Sequence, residues 1–591
     1  MNQATFSSPD GVLAEAQSLA ALPIGEIGLR LTLLRAHYRA APLHFTPEAL
    51  LLLRQAGERA NSPAADENGR RALAALQAVF GYQSFRAGQM EIIQAVMTGR
   101  DCLAVMPTGA GKSVTYQIPA RLMGGLTLVI SPLISLMKDQ VDAMTEVGIR
   151  ATFLNSSLTP GERSRREAQL QAGEFEMLYA APEGIDASVG WLLDQLDLKM
   201  IAVDEAHCIS EWGHDFRPAY RNLAGLKQRF RGIPILALTA TATPRVTTDI
   251  TTQLALRSPL EIRGSFFRAN LRLHTVKKGQ GTGVREQILR LVRARRGEAG
   301  IIYCLSRKAA ESTAAFLASK GIVAAAYHAG MTPAERASAQ EKFSRDDLDV
   351  VCATIAFGMG IDKSNVRYIL HRDMPRSIEG YYQEIGRAGR DGASADCILF
   401  YSWADVMSLD RLLAGSAVQD PQVAEQQRRA VRRMFELADT ATCNWRPLVG
   451  YFAESIPECG DSCGHCRGQD ILEESRPAAR APTATARSVP RSEHTHQLES
   501  DPVLFERLRA LRKKLADERG VPAYVVFSDK ALQDMAARLP RTGAEFLAVH
   551  GVGQRKLEEY GAAFLAAING KDQGAIPGEL AAESAPWPRD R

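Results

Sequence analysis

Eight residues, Met106-Pro107-Thr108-Gly109-Ala110-Gly111-Lys112-Ser113, restrict the fold more than any other stretch of this chain. They follow the apolar, strand-like run Cys102 to Val105 and precede a helix-forming stretch, the context in which a glycine-rich turn cradles phosphate. Thr108 opens the turn, and Gly109 and Gly111 let backbone amides approach an anion. Lys112 supplies a cation to the β and γ phosphates of a nucleotide such as ATP, and the Ser113 hydroxyl can ligate Mg2+. The strict pattern has glycine where Met106 stands, but the Thr-Gly-x-Gly-Lys-Ser core is complete. Such a loop sits at the carboxyl end of a parallel strand, so the chain must contain an open α/β sheet.

The surrounding sequence has that rhythm. Short apolar runs at Cys102 to Val105, Leu126 to Ile130, Met177 to Ala180, Met200 to Val203 and Ile235 to Leu238 alternate with helical stretches. The alternation restarts after Leu273, with runs at Gly300 to Leu305, Val323 to Tyr327, Val350 to Ala353, Arg367 to Leu370 and Cys397 to Tyr401. Thr159-Pro160-Gly161-Glu162 and Thr332-Pro333-Ala334-Glu335 are capping boxes at similar places in the two halves, as duplication of one fold would leave. The reading is therefore α/β, with two tandem parallel-sheet lobes at 76–260 and 261–407. A helical, cysteine-bearing module follows at 408–470, then a Pro/Ala/Ser/Thr/Arg-rich flexible linker at 471–502. Leu504, Leu508, Leu511 and Leu515 carry a helical period into a small all-α domain at 503–569, and 570–591 reads as a disordered tail. Residues 1–75 form a helical extension with Thr46-Pro47-Glu48 as one helix start.

Composition narrows the class. At 591 residues there is room for three to five domains. No apolar run approaches the eighteen or so residues of a membrane span, and Met1 to Asp10 lacks a secretion signal's pattern, so the expected location is the cytoplasm or nucleoid. A net charge of +4 neither requires nor excludes nucleic acid, which needs local clustering of cations. Of nine cysteines, 102, 208, 304, 352 and 397 sit in apolar runs as small hydrophobes. Cys443, Cys459, Cys463 and Cys466 are separated by fifteen, three and two residues, a set that can close a tetrahedral Zn2+ site, with His465 as an alternative ligand.

Asp204 and Glu205 end the apolar run Leu196 to Val203, where Asp204 would share the magnesium with Ser113 and Glu205 would orient or deprotonate water. Trp212, His214, Phe216, Arg217, Tyr220 and Arg221 follow, offering rings and cations to unstacked bases; ordinary packing of a surface loop is the alternative. In the second half, Gln383-Glu384-Ile385-Gly386-Arg387-Ala388-Gly389-Arg390 spaces two arginines three apart, on one face if helical, able to reach a γ-phosphate across a cleft. A surface salt-bridge pair is the plainer reading.

With these motifs in order, residues 75 to 568 resemble the RecQ family of superfamily 2 DNA helicases, which implies two RecA-like lobes, a zinc module and an HRDC domain. Phe80-Gly81-Tyr82-Gln83-Ser84-Phe85-Arg86-Ala87-Gly88-Gln89 is similar to the family's adenine-recognising segment, implying that Tyr82 stacks on the base while Arg86 and Gln89 contact nucleotide. Ser131 to Leu136 resembles motif Ia and Leu238-Thr239-Ala240-Thr241-Ala242 resembles motif III. Tyr327-His328-Ala329-Gly330, Ala356 to Lys363 and the two-arginine segment resemble the second-lobe series. The resemblance assigns Asp362 and Gln383 to the nucleotide site, and His207 and His328 to DNA binding and its coupling to hydrolysis. It implies an ATP-dependent 3′ to 5′ helicase acting on single-stranded, tailed or forked DNA in recombination and repair, with no membrane partner.

Two departures qualify the resemblance. The last three cysteines are spaced one residue wider than usual, and no room remains between Cys466 and Val503 for the winged-helix domain that relatives use to engage duplex. The alternative function is therefore a single-strand translocase or remodelling ATPase that unwinds weakly. In the HRDC-like domain, Arg507, Arg509, Arg512, Lys513, Lys514 and the Gly551-Val552-Gly553 turn before Arg555 and Lys556 offer cations and amides to backbone phosphate; a solvated basic helix in a protein-contact domain is the alternative.

Overall fold

The computed structural model describes residues 9–18, 34, 45–46, 48–50, 52–53, 67–132, 134–185, 189–211, 215–279, 281–355, 357, 363–414, 421–475 and 501–570. Most of the expected linker and tail, and Trp212, His214 and Asp362, lie outside them.

The first lobe is a seven-stranded sheet of order β3-β4-β2-β5-β6-β1-β7, all neighbours parallel. Its strands are β1 Cys102–Val105, β2 Leu126–Ile130, β3 Ala151–Leu154, β4 Met177–Ala180, β5 Leu198–Val203, β6 Ile235–Thr239 and β7 Leu260–Arg263. β1 and β2 are buried along their whole length, because helices cover both faces of a parallel sheet. The second lobe is a six-stranded parallel sheet of order β10-β11-β9-β12-β13-β8. It comprises β8 Leu271–Lys277, β9 Ala299–Tyr303, β10 Ala324–Tyr327, β11 Val350–Ala353, β12 Val366–His371 and β13 Ala395–Tyr401.

Both capping boxes form, at Thr159 with Glu162 and at Thr332 with Glu335. Each starts the helix after an edge strand, β3 in one sheet and β10 in the other, so the two lobes repeat one topology at matching positions. Thr46 also caps as expected, its Oγ1 accepting from the Ala49 amide at 3.1 Å. Three strands were missed in the sequence. β7 and β8 alternate polar and apolar residues at sheet edges, and β3 is a four-residue strand beginning on Ala151-Thr152.

The cysteine-bearing module consists of helices Trp403–Ala414, Pro421–Ala438 and Trp445–Tyr451 with a short turn at Gly464–Arg467. It grips the first residues of β8: Leu273 N donates to Ser462 O at 3.0 Å, and Trp445 Nε1 donates to Ser462 O at 2.9 Å and Leu271 O at 3.3 Å. The C-terminal domain is five helices between Pro502 and Ile568 around Leu508, Phe527, Leu532, Phe546 and Phe564. It lies against both lobes. Arg555 Nη1 donates to Thr145 O of the first lobe at 2.6 Å; Lys513 pairs with Asp347 of the second at 2.8 Å, and Arg367 with Asp529 at 3.4 Å.

Candidate nucleotide and nucleic-acid site

The turn after β1 is built around positive φ at Gly109 (+83°) and Gly111 (+79°), a region that side chains disfavour. A Cβ on Gly111 would come within 2.7 Å of Gln89 Nε2. Gln89 is buried and organises the turn: its Nε2 donates to Ala110 O at 3.1 Å and Gly111 O at 2.9 Å, while its Oε1 accepts from Arg86 N at 2.8 Å. Arg86 donates to Gly109 O. Both residues of the adenine-type segment thus meet the phosphate-type loop. Lys112 Nζ rests 3.3 Å from Met106 O.

β5 delivers Asp204 to the same edge of the sheet, two strands from β1. Burial, and after it the neighbouring Glu205 carboxylate, push the Asp204 carboxyl up to about 7 against the pull of Lys112. Glu205 is held in a left-handed conformation (φ 47°), and its buried Oε2 accepts no hydrogen bond. Two carboxylates crowded in this way are a setting that a divalent cation relieves, so Ser113 and Asp204 suit magnesium chemically.

A hydrogen-bonded relay begins beside this pair, at His207. His207 is 2% exposed, with Nδ1 3.3 Å from Glu205 Oε2 and 3.0 Å from Thr239 Oγ1. Thr239 Oγ1 also takes the Thr241 amide at 3.2 Å, and Gln383 Nε2 of the second lobe donates to Thr241 Oγ1 at 3.3 Å. So His207 is packed away from direct DNA contact, contrary to a contacting role. The relay also gives Gln383 a partner other than phosphate.

The loop after Glu205 divides in two. Tyr220 is fully buried and donates to Asp204 O at 2.8 Å, which corrects its expected place in an open aromatic groove. Phe216 is half-buried under Arg221, 5.3 Å from the ring centre, and Arg217 donates to Pro132 O at 2.9 Å, joining the loop to the Ser131 segment. His328 is 5% exposed and pairs with Glu311 Oε1 at 3.0 Å, so it too is turned from solvent.

The two arginines are not on a helical face. The helix Ile378–Ile385 ends before them, and Arg387 and Arg390 stand on the turns that follow. Those turns nonetheless touch the phosphate-type loop: a Cβ on Gly386 would lie 2.9 Å from Thr108 Cβ, and one on Gly109 3.6 Å from Arg390 Cα. Arg387 is 8% exposed and its Nε has no acceptor. Sequence reasoning missed a third arginine here, Arg268, whose guanidinium lies between the two loops.

It also missed His550. The ring of Tyr82 lies 5.3 Å from that of His550 in the C-terminal domain, and Gly81 abuts Val552. The Gly551-Val552-Gly553 turn is therefore spent on the first lobe. Of the basic residues expected to face phosphate, Arg512 is fully buried on Asp529 at 2.7 Å and Arg509 donates to Gly297 O at 3.0 Å. Lys556 lies 5.3 Å from the Phe527 ring centre, burial pushing its pKa down to about 8.

Away from the cleft, the Sγ atoms of Cys443, Cys459, Cys463 and Cys466 lie within 4.8 Å of one another. Tetrahedral zinc with Zn–S near 2.3 Å needs about 3.8 Å between sulfurs, a small contraction, so the four thiolates fit despite the wider spacing. His465 is exposed and outside this set, which removes it as a ligand. The other five cysteines are buried, as expected.

No helix among the described residues is long and apolar enough to cross a membrane. Comparison with known families matches residues 86–250 to the DEAD/DEAH box helicase family, 283–392 to the helicase conserved C-terminal domain, 403–467 to the RecQ zinc-binding family and 501–568 to the HRDC domain. The ATP-dependent DNA helicase RecQ of Pasteurella multocida is 39% identical, the match covering 84% of this chain and 93% of that protein. The Bacillus subtilis protein of the same name is 36% identical over 84% of this chain and 98% of its own length. The Xenopus laevis RecQ-like DNA helicase BLM is 41% identical over 64% of this chain and 28% of its own. The Pasteurella alignment runs over 596 positions, yet 84% of 591 residues is about 496, so about a hundred aligned positions have no residue here. With both lobes, the four-cysteine module and the C-terminal domain in the order of its relatives, the chain belongs to the RecQ family of ATP-dependent DNA helicases.

Proposed function

We propose that the protein couples ATP hydrolysis in this cleft to 3′ to 5′ movement along single-stranded DNA, separating tailed or forked duplexes for recombination and repair from the cytoplasm or nucleoid. The observation that carries the reading is the contact of the second-lobe arginine turns with the phosphate loop, since it brings both halves of a phosphoryl-transfer site together. In that site Tyr82, Arg86 and Gln89 seat the base and its loop. Thr108, Gly109, Gly111 and Lys112 hold the polyphosphate, and Asp362 takes part in nucleotide binding. Glu205 orients the attacking water and accepts its proton, and Arg387 and Arg390 stabilise charge developing on the γ-phosphate, a contribution worth ~10³ to 10⁵ in rate. Magnesium held by Ser113 and Asp204 supplies charge neutralisation for the phosphates. The chain of hydrogen bonds from His207 through Thr239 and Thr241 to Gln383, beginning 3.3 Å from Glu205 Oε2, carries strand engagement by Trp212, His214, Phe216 and Arg217 to hydrolysis, and the buried His328 serves that coupling without touching the strand. Zinc on the four cysteines holds the module that grips β8.

A second reading, a single-strand translocase that unwinds weakly, is favoured by one observation: only residues 476–500 lie between the zinc module and the C-terminal domain, too few for a wing. Strand displacement on 3′-tailed, 5′-tailed and forked duplexes, run beside ATPase assays, tests both. The first reading expects 3′-tailed and forked substrates to open; ATPase activity with little displacement leaves the second. Lys112→Ala is expected to lower DNA-stimulated hydrolysis by on the order of a hundredfold, and retention of that activity refutes the site.

A further inference from the structure

Residues Gly264 to Asn270 carry the chain from β7 in the first lobe to β8 in the second, and Arg268 stands near the middle of this crossing. Its guanidinium donates four hydrogen bonds, all to backbone carbonyls. Nη1 reaches Thr108 O of the phosphate loop at 3.1 Å and Gly386 O at 2.9 Å; Nη2 reaches Ala388 O at 2.9 Å and Gly389 O at 2.7 Å. One acceptor belongs to the first lobe, and three belong to the turns bearing Arg387 and Arg390.

A planar fork with donors on two nitrogens can span two loops in this manner, which a lysine ammonium cannot. The fork is also held in place from behind. Glu454 of the cysteine module accepts from Ser265 Oγ and Phe266 N, both at 2.6 Å, and the Phe266 ring stacks on Phe452 with centroids 4.3 Å apart. Ser462 Oγ, between Cys459 and Cys463, donates to Ala269 O at 2.9 Å. Arg268 is thus fixed on both sides by the module that carries the four cysteines.

Its charge has no nearby answer. Burial pushes the Arg268 pKa down to about 10, Arg390 and Arg86 add to the shift, and no carboxylate among the described residues pairs with it. Arg268 is half-buried, and a partly desolvated guanidinium without a counter-charge is costly unless an anion completes the site. The phosphate loop beside it is where a nucleotide's polyphosphate would lie.

We infer that Arg268 is a positioning residue for ATP hydrolysis, a staple between the lobes that sets the arginine turns against the phosphate loop. The inference rests on the ATP-site reading above. It predicts a separation of effects, because the staple positions the second-lobe arginines while base and loop contacts remain. Full-length, zinc-loaded Arg268→Lys and Arg268→Gln should bind a fluorescent ATP analogue within about threefold of wild type. They should also keep their zinc and thermal midpoint. Their kcat for single-strand-stimulated hydrolysis should fall by about tenfold or more, the scale of losing hydrogen bonds to a charged group.

Rescue by lysine would show that charge alone suffices and would overturn the staple, as would hydrolysis within twofold of wild type in both variants. Loss of zinc or of the thermal midpoint in parallel with kcat would make Arg268 a structural residue only and would overturn it too. Lys112→Ala in the same assays separates the two layers: if it hydrolyses like wild type, the ATP site itself is misassigned, whatever the Arg268 variants do.

Discussion

His207 shows how little side chain is needed to join two chemistries. It is buried beside Glu205 and Thr239 and cannot reach a nucleic acid, yet it stands two residues from the Glu205 carboxylate and is joined through Thr239 and Thr241 to the second lobe's Gln383. His207→Ala should leave basal hydrolysis within about threefold and cut its stimulation by single-stranded DNA by about tenfold, the cost of unmaking one or two hydrogen bonds in a buried network. ATPase rates with and without oligonucleotide check this, and equal loss of both rates would contradict it. Residues contiguous in sequence were legible at this scale: Lys112, Ser113, Asp204 and Glu205 were named from local pattern because one strand end delivers each pair. Arg268 and His550 were not, because their roles depend on elements far apart in the chain. Phe267-Arg268-Ala269 carries no local motif, and Tyr82 meets His550 only when two domains dock. Tyr220 shows the converse error, an aromatic that composition placed in a groove and packing placed in the core.

At the scale of elements, buried edge charges decide how the second sheet holds. Asp396 on β13 meets Arg272 of β8 at 2.9 Å and Arg295 Nε after the Val284–Ala294 helix at 3.0 Å. Burial alone would raise its carboxyl pKa, but the His274 ring, 3.7 Å away, and the two guanidinium charges overcome this and hold it well below the carboxylate range. A depressed folded pKa contributes stability in full above the unfolded value near 3.9, and that stability is lost as pH falls below it. Asp396→Asn should therefore cost about 3–5 kcal/mol at pH 7, and the gap in urea midpoint should narrow only below about pH 4. Cys463→Ser should release the zinc, measured by metal analysis, and lower the thermal midpoint by about 10 °C. Hydrolysis should fall with it, because Ser462 then loses its grip on the crossing that carries Arg268. Central strands were legible because burial on both faces writes them as unbroken apolar runs. The edge strands β7 and β8 were not, since a strand with one open face alternates and resembles loop sequence.

For the whole molecule, the order of lobes and modules could be read from the chain, but the docking of the last onto the first could not. Surface contacts such as Lys513 with Asp347 leave no periodic trace in sequence, and the same cations serve DNA phosphate equally well on paper. The decisive contact is steric. Gly81 has φ +68°, and a Cβ there would lie 2.2 Å from the Val552 carbonyl carbon. Gly81→Ala should detach the C-terminal domain while both lobes stay folded. The expected sign is a rise in radius of gyration on the order of 10% by solution scattering, with zinc content unchanged. An unchanged radius would show that the interface tolerates the methyl group and that docking does not depend on this approach.

The same contact has a dimension in time. Gly81 and Tyr82 leave the ribosome about 470 residues before Val549 to Gly553. At about 5 to 20 residues per second, the surface around Tyr82 waits on the order of half a minute or longer for its cover. During that interval the rest of the first lobe is made, and the nascent chain presents the face around Tyr82 uncovered before the domain that will lie against it exists.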